Sequence, residues 1–138
     1  SRQVGFVETR YSVLVADDDV GHRESIVDAL TDRGLVAHGA DSGTRAISIV
    51  RRTVVHIGIL DVHMAGLTGI ETCRRLQQIG CSLPLILMSG AATEGLRMDA
   101  LDAGAASFLA KPLDVRVLLD TLEELLRERY DFPGLDRR

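Results

Sequence analysis

An alternation constrains this chain more than any other feature. Five short apolar runs, at 12–16, 35–40, 54–60, 85–88 and 107–110, are separated by stretches with helical periodicity. The clearest runs, such as Val13-Leu14-Val15 and Leu85-Ile86-Leu87-Met88, show no in–out alternation. A strand reads this way when both of its faces are buried. Between the runs, Ile26, Ala29 and Leu30 share one helical face, as do Ala46, Ile47 and Val50. Ile70, Cys73 and Leu76 form a third stripe, and Leu96, Ala100 and Ala103 a fourth. The last is the longest: Val115, Leu118, Leu119, Leu122, Leu125 and Leu126 recur at i, i+3, i+4 spacing. Gly34, Gly80 and Gly104 stand just past helix ends, where a left-handed residue is favoured. Asp19 and Asp114 stand where a side-chain cap would open a helix. The pattern predicts an α/β fold, a doubly wound (βα)5 unit whose five-stranded parallel sheet has helices on both faces. Residues 1–10 and 130–138 flank it as expected tails, the second of them or the start of a linker.

Composition narrows the function classes. At 138 residues the chain suits a single domain. With 46% apolar and 26% charged residues it is globular rather than disordered. A net charge of −4 lacks the electrostatic footprint of a nucleic-acid binder. No apolar run approaches the ~20 residues of a membrane span, and no signal-peptide pattern opens the chain. Cys73 and Cys81 form no CxxC pair, so neither a disulfide framework nor a zinc site is indicated. A cytoplasmic location is the expectation.

In an open parallel sheet, ligands bind beyond the carboxyl ends of the strands. Here the first run ends in Asp17-Asp18-Asp19, the third in Asp61, the fourth in Ser89-Gly90 and the fifth in Lys111-Pro112. Taken singly, an acid after a strand reads equally well as a helix cap, Ser-Gly as a turn, and Lys-Pro as a solvated loop. Together they gather carboxylates, a hydroxyl and an ammonium at one edge. Like charges packed there repel, and a divalent cation relieves the repulsion. Mg²⁺ takes oxygen ligands and usually keeps waters or phosphate oxygens beside one or two carboxylates. A lysine and a hydroxyl nearby suit the oxygens of a phosphoryl group.

These residues, in this order, resemble a response-regulator receiver domain of two-component signalling. The resemblance covers 11–129. The acidic pair after the first strand matches Asp17 and Asp18. The phospho-accepting aspartate matches Asp61 in Ile59-Leu60-Asp61-Val62-His63-Met64. The hydroxyl residue matches Ser89, and the lysine before proline matches Lys111 in Gly104-Ala105-Ala106-Ser107-Phe108-Leu109-Ala110-Lys111-Pro112. One departure is Ala65, where the family usually carries proline after the methionine. Without the fixed φ of proline, this loop is expected to be less constrained.

The resemblance implies a CheY-like, flavodoxin-like sheet of order 2-1-3-4-5. It implies Asp61 as the phosphorylated residue, and Mg²⁺ held by Asp17, Asp18, Asp61 and the backbone carbonyl of His63. Ser89 and Lys111 would contact the phosphoryl group, assisted by backbone N–H groups near Val62 and Gly90-Ala91. Lys111-Pro112 is the candidate for a cis peptide. Ser89 and Phe108 would form the switch, moving the surface of the fourth helix, fifth strand and fifth helix. Phe108 is the one Phe, Tyr or Trp between Ser12 and Arg129. The implied partners are a sensor histidine kinase or histidine phosphotransfer protein and an output domain beyond Arg138. A phosphorylation-dependent homodimer is a separate expectation, drawn from the mixed charges of the last two helices: Arg97, Asp99 and Asp102 on the fourth, and Arg116, Asp120, Glu123 and Arg127 on the fifth. No catalysis is implied beyond self-phosphorylation from small donors and autodephosphorylation.

Two other classes use similar residues. A haloacid-dehalogenase-type phosphatase would take Asp17 and Asp19 as its acid pair. It also needs an acidic pair at a strand end after the lysine, and Asp114 and Asp120 fall at or on the last helix. A phosphorylation-independent interaction module on the same fold would not need the full set of acids, hydroxyl and lysine.

Overall fold

A computed structural model of the chain describes residues 10–137. Of the expected tail at 1–10, all but Arg10 lies outside the described residues. The elements run β1 (Ser12–Ala16), α1 (Val20–Thr31), β2 (Val36–Ala40), α2 (Gly43–Arg52), β3 (Ile57–Asp61), α3 (Gly69–Gln78), β4 (Leu85–Ser89), α4 (Glu94–Asp102), β5 (Ser107–Ala110) and α5 (Val115–Arg129). All strand pairs are parallel, in the order β2-β1-β3-β4-β5. No helix among the described residues is long and apolar enough to cross a membrane.

Continuous apolarity has a direct cause. Val13, Val15, Ile57, Ile59, Ile86 and Met88 point to one face, where they meet Ile26 and Leu30 of α1 and Leu118, Leu122 and Leu126 of α5. Leu14, Ala16, Leu60, Leu85 and Leu87 point to the other, against Ala46 of α2, Cys73 and Leu76 of α3, and Ala100 of α4. Both faces are dry, so no strand position in the centre tolerates a polar side chain. The helices open as the caps predict: Asp19 Oδ1 accepts from His22 N at 3.0 Å and Asp114 Oδ1 from Arg116 N at 2.9 Å. Gly34, Gly80 and Gly104 take φ of +90°, +79° and +101°. Cys73 and Cys81 are free thiols.

Three sequence expectations change. The 54–60 run becomes a strand only from Ile57, because Val54 is 72% exposed and His56 is held sideways. The His56 N–H donates to Ser12 O, and its Nδ1 accepts the Ser12 N–H, both at 2.9 Å. Val115 leaves the apolar stripe of α5: as the first helical residue it is 42% exposed, at the rim of a groove with Ile26 and Leu113. The segment after α5 does not trail away. Tyr130, Phe132 and Leu135 pack on the α1/α5 side of the core, with Phe132 only 9% exposed. Asp136 N–H donates to Arg33 O at 2.9 Å, and Arg33 Nε returns a bond to Asp136 O at 2.5 Å.

This strap encloses His56. Its ring centroid lies 4.8 Å from that of Tyr11 and 5.1 Å from that of Tyr130, whose hydroxyl donates to His56 O at 3.0 Å. Burial among these rings lowers the His56 pKa from its ordinary 6.5. The unfolded chain therefore takes up this proton first. Stability from His56 is complete above about pH 6.5 and is lost as pH falls through the lower folded value. Urea unfolding at a pH above and a pH below that value should show a drop in midpoint that shrinks in His56→Gln. An equal drop in both proteins would assign the pH sensitivity to other groups.

Candidate functional site

The parallel register brings the strand ends level. Leu60 lies opposite Ala16, Asp61 opposite Met88, and Ser89 opposite Ala110. The residues that follow each strand therefore meet at one edge of the sheet. Carboxylate oxygens of Asp17, Asp18 and Asp61 all lie within 4.8 Å of one another. Asp17 is fully buried and Asp61 is 5% exposed, whereas Asp18 faces solvent.

Each acid is held by a different device. Asp17 Oδ1 accepts the Asp19 N–H at 2.9 Å. Its Oδ2 meets His22 Nδ1 at 2.5 Å and Lys111 Nζ at 3.5 Å. Burial pushes the Asp17 carboxyl up, but the His22 bond, the Asp19 N–H and the Lys111 charge outweigh it and hold the group below the ordinary carboxylate value. Asp61 Oδ1 accepts the His63 N–H at 3.1 Å, and its Oδ2 accepts from Lys111 Nζ at 2.7 Å. Asp18 Oδ2 accepts the Ala65 N–H at 3.1 Å.

Lys111 is the counter-charge. Burial alone would lower its pKa, but the hydrogen bond and charge of Asp61, with Asp17 behind it, raise it. The ammonium stays protonated through the physiological range. Its own N–H donates to Ser89 O at 2.9 Å, which ties the end of β5 to the end of β4. The Lys111–Pro112 peptide is cis. Ser89 is fully buried, and its Oγ accepts the Ala91 N–H at 2.9 Å.

The backbone donors differ from expectation at one point. The Val62 N–H is committed to Met88 O at 2.9 Å, so it extends the sheet and faces no ligand. Behind it, α3 presses on the acceptor strand. A Cβ at Gly69 would sit 2.3 Å from Asp61 O and 2.9 Å from Val62 Cα, so only glycine fits there.

Sequence reasoning missed His22 and the side chain of His63, which it had named only for its backbone carbonyl. His22 is the third residue of α1 after its Asp19 cap, a position that points back toward the incoming strand, as capping-box glutamates do. That offset was the available signal. The side chain of His63 reaches Ser89 Oγ at 3.1 Å, and nothing in the local pattern announces it. Phe108 is half-buried on β5, packed against the α2/α3/α4 side of the core. The donor set fits a small, hard cation: three carboxylates, two of them buried, supply oxygen ligands of the kind Mg²⁺ takes.

Residues 13–123 match the response regulator receiver domain family. This chain belongs to that family. The receiver domain is 34% identical over 124 residues to the response regulator MprA of Mycobacterium sp. (strain KMS), covering 90% of this chain and 54% of the relative. It is 36% identical over 115 residues to MprA of Mycobacterium leprae, covering 83% of this chain and 50% of the relative. The chain thus spans about half the length of these curated relatives. Among solved structures, the Francisella response regulator 1452 receiver domain superposes with a TM-score of 0.83 at 24% identity, over 86% of this chain and 98% of that one. The chemotaxis protein CheY4 of Vibrio cholerae superposes with a TM-score of 0.81 at 25% identity, over 86% of this chain and 100% of that one. The receiver domain therefore has the CheY-like fold and belongs to two-component signalling.

The Ala65 contact gives the departure from proline a consequence. Proline has no N–H to offer, so in this chain the loop gains a hydrogen bond to Asp18 where it was expected to be less constrained. An oxygen that already accepts an N–H has less electron density for a cation. Ala65→Pro should therefore tighten Mg²⁺ binding by about threefold or more, since hydrogen bonds to charged groups are among the stronger ones. Calorimetric Mg²⁺ titration of both chains reads this directly. Equal affinities would mean that the Ala65 bond does not compete with the metal.

Proposed function

We propose that this receiver domain accepts a phosphoryl group on Asp61 from a histidine of a sensor kinase or histidine phosphotransfer protein. The observation that carries the proposal is Lys111 Nζ, 2.7 Å from Asp61 Oδ2, with the buried Ser89 hydroxyl at the end of the adjacent strand. An ammonium and a hydroxyl thus flank one nearly buried carboxylate. Asp61 attacks phosphorus, a P–O bond forms, the P–N bond of the donor breaks, and the electron pair leaves with the imidazole. Asp17, Asp18, Asp61 and the main-chain carbonyl of His63 would hold Mg²⁺, which supplies positive charge for the oxygens of the incoming group. Lys111 passes from Asp61 Oδ2 to a phosphoryl oxygen. Ser89 donates a hydrogen bond to another.

The product is a signal rather than a released metabolite. Because Lys111 and Ser89 end β5 and β4, their movement acts on the strands that carry α4 and α5. Phe108, on β5 three residues from Lys111, would turn into the space that Ser89 leaves. The surface so changed is α4–β5–α5. Met98, Leu101 and Val117 are exposed on it, at 49%, 36% and 47%. One of its charge pairs, Glu94–Arg97 at 3.0 Å, is closed within α4. An exposed apolar set framed by paired charges suits a protein partner. That partner is an output domain beyond Arg138 or a second copy of the receiver domain in the cytoplasm. Small phosphodonors and slow autodephosphorylation complete the chemistry.

Asp61→Asn keeps the shape of the side chain and removes its nucleophilicity. After incubation with acetyl phosphate and Mg²⁺, intact-mass measurement should find a phosphate adduct on the unsubstituted chain and none on the variant. An undiminished adduct on Asp61→Asn would place the acceptor elsewhere. Beryllofluoride with Mg²⁺ should shift the sedimenting species from monomer toward dimer, and Val117→Glu should abolish the shift. A mass that stays monomeric over a wide concentration range would leave the surface to the output domain.

A further inference from the structure

Ser89 is wholly buried, yet its hydroxyl touches the exposed residue His63. Two contacts define that hydroxyl. The Ala91 N–H donates to Oγ at 2.9 Å, which uses a lone pair. The Nε2 atom of His63 lies 3.1 Å from Oγ, and in the Nδ1-protonated tautomer it accepts the hydroxyl's own proton. His63 is thereby fastened at both ends. Its main-chain N–H holds Asp61 Oδ1 at 3.1 Å, and its ring holds Ser89. The residue spans the site from the end of β3 to the end of β4.

A hydroxyl has one proton to give. Phosphoryl acceptance as proposed above requires Ser89 to donate it in a hydrogen bond to a phosphoryl oxygen. The imidazole and the phosphoryl group therefore compete for it. We infer that the His63 side chain is a latch for the unphosphorylated state: it captures the Ser89 proton, and the phosphoryl group must break that bond before Ser89 can move. This inference rests on the acceptor role of Asp61. It assigns to the imidazole a task separate from that of the His63 carbonyl, which any residue could perform. His63 is a positioning residue here, acting on the phosphoryl group only through Ser89.

The latch predicts a specific pattern of coupling. The probe is beryllofluoride with Mg²⁺, whose binding to the full chain is measured by calorimetry. His63→Ala should tighten binding by about two- to tenfold, the range of one neutral hydrogen bond. Ser89→Ala should weaken binding, and adding His63→Ala to it should then change nothing. Unchanged or weaker binding in His63→Ala would overturn the latch, as would equal tightening with and without Ser89. The contact itself is read without any ligand, by long-range ¹H–¹⁵N spectra of the His63 ring. The unsubstituted chain should show protonated Nδ1 and an unprotonated, hydrogen-bonded Nε2, and Ser89→Ala should redistribute the tautomers. Ring signals indifferent to Ser89→Ala would reject the latch even if Asp61 accepts phosphate. Failure of the unsubstituted chain to bind the probe, with the ring signals as expected, would reject the acceptor role and with it the competition.

Discussion

The ammonium of Lys111 is the interaction on which the rest of the site depends. Asp17 and Asp61 are buried side by side, one from the end of β1 and the other from the end of β3. Two carboxylates so placed would repel, and loss of water would raise the cost. Lys111 meets both, at 3.5 and 2.7 Å, and does so from β5 at the edge of the sheet, reaching past β4. One side chain thus links the ends of three strands that are not all neighbours. Any group that takes Lys111 away from Asp61 must alter the end of β5. The same lysine offers its N–H to Ser89 O, so β4 is drawn in as well. In the switch proposed above, this geometry would couple the acidic edge to the α4–β5–α5 surface without a longer chain of contacts.

Around that frame, further residues hold the acids one by one. His22 reaches back from α1 to Asp17, while Arg23 of the same helix donates to Asp17 O at 2.7 Å. Ala65 supplies to Asp18 an N–H that proline would lack. His63 braces Asp61 with its backbone and Ser89 with its ring. Under the function proposed above, each of these contacts would bear on metal or phosphoryl affinity by the worth of one hydrogen bond, about 0.5–3 kcal/mol.

The far pole of the sheet is organised by a different chemistry. Tyr11, His56, Tyr130 and Phe132 form a ring cluster that closes the amino ends of β1 and β3 and ties the segment after α5 to the core. Its aromatic residues sit near the two ends of the chain, which leaves the interior almost wholly aliphatic. The pole where chemistry occurs and the pole where the chain exits are thus built from separate residues, joined by the rigid strands between them.

By itself the sequence determined the parallel sheet, the faces of the helices, two of the five N-caps and the residues delivered to the acidic edge. All of these depend on periodicity and on what ends each strand, which are local properties. Asp17, Asp18, Asp61, Ser89 and Lys111 were legible for that reason. Tertiary structure alone decided that 54–56 leads into β3 rather than extending it, that Val115 faces out, and that 130–136 folds back as a strap. It also decided the contacts of His63 with Ser89 and of Ala65 with Asp18, which join residues 26 and 47 positions apart. The physical reason is reach. A hydrogen bond forms or fails within a few tenths of an ångström, and that distance is set by how loops from different strands meet, which no spacing along one stretch of chain records.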